Sequence, residues 1–178
     1  MKKLIATLLA LVLTLTAAAV LAEETAAPAF MNGVMFNMDM DQVMELVNLP
    51  NPEIDSERDH GATEFWELEY EHVRTDDGFS ADLKFIFVGN GLVAIHYDMA
   101  DGTGYDNVKA ALAAVYGEPV PFDAAKIGNA RYVIDDDGDL KDCREMIEAE
   151  GVTVVLELDH DGDVDVTILD PAAAYINN

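Results

Sequence analysis

Residues 81–99, ADLKFIFVGNGLVAIHYDM, constrain this chain more than any other stretch. Ala81, Leu83, Phe85 and Phe87 alternate with Asp82, Lys84, Ile86 and Val88, and Val93, Ile95, Tyr97 and Met99 alternate with Leu92, Ala94, His96 and Asp98. A period of two is the mark of a half-buried strand, because successive side chains leave opposite faces of the backbone. Gly89-Asn90-Gly91 between the two runs supplies the positive φ that a tight hairpin needs. A chain built on such a hairpin must extend its sheet or cover its apolar face.

The flanking segments read accordingly. Asp39-Met40-Asp41-Gln42 has the form of a capping box, followed by Met40, Val43, Met44 and Val47 at helical spacing and stopped by Leu49-Pro50. Residues 53–62 read as a charged loop. Residues 64–73 alternate Trp66, Leu68 and Tyr70 with Glu67, Glu69 and Glu71, a strand with one wet face, and His72 joins the Trp66 side by parity. Tyr105, Val108, Leu112 and Tyr116 mark a second helix, capped by Thr103 or Asp106 and stopped by Gly117 and Pro119. Pro119-Val120-Pro121 is extended. Residues 131–134 read as a strand and residues 140–150 as a short helix carrying Cys143. Val152, Val154, Leu156 and Leu158, then Val164, Val166 and Ile168, form a closing hairpin about His160-Asp161-Gly162-Asp163. The expected class is α+β: an antiparallel sheet with helices packed on one face, ordered helix-strand-strand-strand-helix with further strands after it. Helix followed by strands occurs twice, so a repeat of pattern is expected.

The N-terminus narrows the compartment. Lys2 and Lys3, the apolar run from Leu4 to Val20 and the small residue Ala22 describe a signal peptide over residues 1–22. A flexible tether over 23–29, a single domain over 30–170 and a tail over 171–178 are expected to follow. The protein is thus expected to be secreted or periplasmic, with no stable membrane insertion once the signal is cleaved. Ten Lys and Arg against 35 Asp and Glu give a formal charge of −25. That field repels phosphate backbones and anionic lipid, which argues against nucleic-acid or membrane-surface binding and favours cations or a basic protein. Cys143 is the only cysteine, so the fold holds without an intrachain disulfide.

Residues 37–119 carry a resemblance. Its marks are Asn37-Met38-Asp39 through Val43 and Leu46 to Leu49-Pro50, the strand pair through Leu83-Lys84-Phe85-Ile86-Phe87, Gly91-Leu92-Val93 and Ile95-His96-Tyr97, then Tyr105, Val108, Leu112 and Tyr116-Gly117-Glu118-Pro119. This stretch resembles the α+β module of the small outer-membrane-assembly lipoproteins (the SmpA/OmlA family) and of the β-lactamase inhibitory proteins. The resemblance implies a non-catalytic module that binds another protein through sheet faces or loops. Three features depart from it. Asn48-Leu49 stands where the family has Gly before the first Pro, and neither the lipoprotein cysteine nor the paired cysteines of the inhibitors are present.

The chemistry-bearing patterns are few. Asp159, Asp161, Asp163 and Asp165 alternate as Ca²⁺ ligands do, with Asp170 in twelfth place, but Gly162 stands fourth instead of sixth and Val164 takes the glycine position. Asp135, Asp137 and Asp139 depart from the pattern in the same way, and an acidic hairpin turn accounts for either run. His60, His72, His96 and His160 have no zinc spacing, and Ser56 and Ser80 sit in no nucleophile motif. The expected function is an exported, non-enzymatic module for an unknown protein partner, with Ca²⁺ binding at 159–165 as the alternative.

Overall fold

The computed structural model describes residues 33–58, 64–75, 78–127 and 141–172. The proposed signal peptide and tether, the strand at 131–134, the acidic run at 135–139 and most of the tail lie outside the described residues. Helix α1 spans Met40–Val47, followed by strands β1 (Glu53–Arg58), β2 (Glu64–Arg74), β3 (Ser80–Val88) and β4 (Gly91–Met99). Helix α2 spans Tyr105–Tyr116; β5 (Val120–Pro121), α3 (Ala124–Ile127), β6 (Lys141–Ala149), β7 (Val152–Asp159) and β8 (Val164–Leu169) complete the chain. The eight strands form one sheet in the order β1-β2-β3-β4-β8-β7-β6-β5, and every pair is antiparallel. The α+β class with an antiparallel sheet is therefore present. The first half runs helix then four strands, the second helix, strand, short helix and three strands, and the halves meet at the β4–β8 ladder.

Local chemistry explains where the elements begin and end. At α1 the Gln42 amide donates to Asp39 Oδ1 at 2.9 Å and the Asp39 amide donates to Gln42 Oε1 at 3.0 Å, the reciprocal capping box. The helix stops one residue earlier than its proline suggests, at Asn48, which takes φ 49° and donates its amide to the Met44 carbonyl. At α2 neither expected residue caps. Gly104 holds the N-cap position without a side-chain bond, and Thr103 instead donates its hydroxyl back to the Ala100 carbonyl at 2.6 Å.

The core follows from alternation. Leu68, Tyr70, Leu83, Phe85, Phe87, Tyr97, Val154, Leu156, Val166 and Ile168 pack with Val43, Val47, Val108, Leu112 and Tyr116 of the two longer helices. Residues of opposite parity, Ile86, Ala94, Val155 and Leu169, form a second cluster with Ile127 of α3, and Phe65, Val88 and Phe122 lean on it. Opposite parity on a strand means the opposite face, so both sides of the sheet carry apolar cover.

Four further expectations need correction. Residues 53–58 form a strand, not a loop. Residues 141–149 form strand β6, not a helix, so Cys143 lies on a strand. Val93 does not share a face with Ile95: Ile86 opposes Ala94 while Phe87 opposes Leu92, leaving Val93 as the extra residue of a bulge, and Leu92 enters the main core in its place. His72 does not face that core. Tyr70 opposes Leu83 and Val73 opposes Ala81, so Glu71 and His72 share one partner, Asp82, and His72 adopts φ 55° with its side chain 88% exposed.

Candidate binding surface

The acidic turn is a hairpin turn. Gly162 donates to the Asp159 carbonyl at 3.0 Å and Asp159 donates to the Asp163 carbonyl at 2.9 Å, with Gly162 at φ 97°. That is a three-residue loop closed by a left-handed glycine, which explains Gly162 where it stands. The four carboxylates are dispersed by it. Asp159 and Asp165 belong to β7 and β8, Asp161 and Asp163 are exposed in the loop, and Asp165 is buried on the α3 side of the sheet. Among the described residues, no group of three or more His, Cys, Asp or Glu is placed to hold a metal ion.

Two ionic arrangements lie deeper. On the α3 side, the ladder sets Asp82, Asp98, Asp165, Glu157 and Arg144 in one row across five strands. Arg144 Nε lies 2.5 Å from Glu157 Oε1, and the guanidinium carbon lies 5.0 Å from the centre of the Phe122 ring. His96 Nδ1 meets the Thr167 hydroxyl at 3.0 Å and His96 Nε2 lies 3.9 Å from Asp165 Oδ1. Burial first, then the carboxylates of Asp82 and Asp163, push the Asp98 carboxyl above its usual range. On the other side, α2 meets β6 through Tyr105, which donates to Glu145 Oε2 at 2.8 Å, and Lys109, whose Nζ lies 2.6 Å from the same oxygen. The hydrogen bond from Lys109 holds the Glu145 carboxyl below its usual range, while burial, then Cys143 and Glu145, push the Tyr105 phenol well above its own. The Cys143 thiol lies 3.4 Å from that phenol oxygen.

The β1–β2 end of the sheet differs from both. Ser56 opposes Trp66 and Ile54 opposes Leu68, so Ile54 and Trp66 are diagonal neighbours on the face that carries α1 and α2. Ile54 is 52% exposed and Trp66, the only tryptophan, is 37% exposed. Ser56 is too small to cover the indole. On the opposite face Glu53 opposes Glu69 and Asp55 opposes Glu67. Sequence reading placed Trp66 on the correct face but missed Ile54, because β1 was taken for a loop. The available signal was the flanking of Ile54 by Glu53 and Asp55. A shallow groove of about 470 Å³ along the outside of α2, lined by Lys109, Ala110, Ala113, Ala114 and Pro119 among others, has no comparable aromatic anchor.

Comparison of the chain with protein-family models, with curated proteins and with solved structures returns no match.

Proposed function

We propose that this protein is an exported binding module, without catalysis of its own, that recognises another protein through the β1–β2 end of its sheet. The observation that carries the reading is the exposed pair Trp66 and Ile54. Tryptophan is the side chain with most to gain from leaving water, and aromatic anchors beside aliphatic ones dominate protein–protein interfaces. The ionisable groups support the same reading. Glu145 serves Lys109 and Tyr105, and Glu157 serves Arg144, so the best-placed carboxylates are engaged in holding elements together. The signal-like N-terminus and the resemblance of residues 37–119 to protein-binding extracytoplasmic modules agree with it.

The test is a pull-down from the envelope and medium of the producing cell, with wild type and a Trp66→Ser/Ile54→Thr variant. The expected result is a specific partner retained by wild type and lost by the variant. Repeated failure to retain any partner over a range of salt, or retention indifferent to the variant, overturns the reading.

Ca²⁺ binding around the 159–165 turn is the second reading: after burial, the negative charges of Asp82, Asp163 and Asp101 raise the Asp98 carboxyl, a local field that a cation would relieve. A ligand that binds only the folded chain raises its melting temperature. Stabilisation by millimolar Ca²⁺ that Asp163→Ala abolishes supports this reading; a shift reproduced by NaCl of equal ionic strength excludes it.

A further inference from the structure

We infer that the outer edge of β1 is a docking edge for an extended segment of a partner protein, with basic and apolar residues in alternation, which joins the sheet as one further strand. The inference rests on the binding reading above and specifies the partner's chemistry.

β1 ends the sheet, and among the described residues no strand pairs with its outer side. An edge strand turns half of its backbone donors and acceptors outward, a ready template for another chain. The two ends of the sheet are treated differently. β5, which holds the matching place in the second half, is two residues long and contains Pro121, both of which blunt an edge. β1 has six residues, no proline, and an unbroken register with β2 from Glu53 opposite Glu69 to Arg58 opposite Glu64. Residues 53–56 are exposed. Among the described residues, the position that is blunted at one end of the sheet is left open at the other.

The side chains around that edge define its occupant. On the α3 side, Glu53 faces Glu69 and Asp55 faces Glu67, and like charges directly opposite are unfavourable. Lys or Arg at alternate positions of an added strand would sit beside Glu53 and Asp55 and relieve both pairs. The intervening residues would fall on the other face, beside Ile54 and within reach of the indole of Trp66 past Ser56, where apolar side chains gain most. A second copy of this chain would bring acid against acid at the edge, between molecules that each carry a formal charge of −25. The edge therefore refuses itself and selects a basic strand.

The probe is a Lys-Val-Lys-Val-Lys-Val peptide, with Glu-Val and Lys-Gly peptides of the same length as controls. The readouts are Trp66 emission, unambiguous because the chain has one tryptophan, and amide hydrogen exchange over residues 53–58. The expected result is a saturable blue shift and at least about tenfold slower exchange at alternate β1 amides with the Lys-Val peptide alone. Ile54→Lys, at a half-exposed position, is expected to weaken binding by about tenfold. Unchanged β1 exchange at millimolar peptide, equal protection by the Lys-Gly peptide, or concentration-dependent protection without any peptide overturns the inference. If the pull-down retains a partner through Trp66 and Ile54 while β1 exchange stays unchanged with the Lys-Val peptide, edge addition fails and the binding reading stands. If no partner is retained, the binding reading fails and takes this inference with it.

Discussion

Arg144 on β6 and Glu157 on β7 face each other across the ladder with 2.5 Å between Nε and Oε1, and Glu157 is 1% exposed. Breaking such a buried pair leaves a charge without its partner, which costs about 3–5 kcal/mol, whereas replacing both members by apolar groups is often neutral. Arg144→Met and Glu157→Leu are each expected to destabilise by about that amount. The double variant is expected to return to within about 2 kcal/mol of wild type. Urea unfolding followed by circular dichroism checks this, and additive single costs would contradict it.

The Lys109–Glu145 pair sets part of the pH dependence. Glu145 has a folded pKa below its unfolded one, so its contribution is present above the ordinary carboxylate range and is lost as pH falls through the folded value. Lys109 is raised, first by its hydrogen bond to Glu145, so its contribution is lost only as pH climbs through its folded value. Lys109→Met is therefore expected to lower Tm by a few degrees at neutral pH and to converge on wild type in strong acid. A deficit that persists at low pH would point to packing instead.

Asp98 behaves oppositely. Its carboxyl is raised, so the folded state holds the proton more tightly than the unfolded chain, and stability falls as pH rises from the ordinary carboxylate range through the raised value. Asp98→Asn is expected to raise Tm at pH 7 by a few degrees and to bring no gain in strong acid. Thermal melts across that range check it; a loss at pH 7 would mean that Asp98 serves a favourable contact.

His72 carries backbone strain at φ 55°. Left-handed geometry costs a side-chain-bearing residue about 1–2 kcal/mol. Its amide bond to Asp82 Oδ1, 2.6 Å, survives any substitution except proline, and its exposed ring contributes little through Asp82. His72→Gly is expected to stabilise by about 0.5–1 kcal/mol after the entropic cost of glycine. Destabilisation in urea titration would show that the imidazole–carboxylate contact outweighs the strain.

The two hairpins and the α1 capping box were legible because each rests on neighbours in sequence: a glycine turn, a strict alternation, a carboxylate three residues before its amide. β1 was not. With one apolar residue in Glu-Ile-Asp-Ser-Glu-Arg, it is held as a strand by pairing with β2, and no alternation is needed in a strand whose residues 53–56 are exposed. β6 misled for the opposite reason. Met146 and Ile147 are both buried, on opposite faces of a sheet covered on both sides, and Arg144 and Glu145 are consumed by partners on β7 and α2. Consecutive apolar residues flanked by inward charges mimic a helix. The exposure of Trp66 was equally hidden: alternation assigns it a face but not the reach of the helices over that face.

The most direct measurement is photo-cross-linking in the producing cell, with a photoreactive residue at position 54 beside Trp66 and, as reference, at position 115, which lies on α2 and is 58% exposed. The account predicts a discrete protein adduct at position 54 and none at position 115. Adducts of equal yield and pattern at both positions, or an adduct at position 115 alone, would contradict the assignment of the β1–β2 end as the working surface.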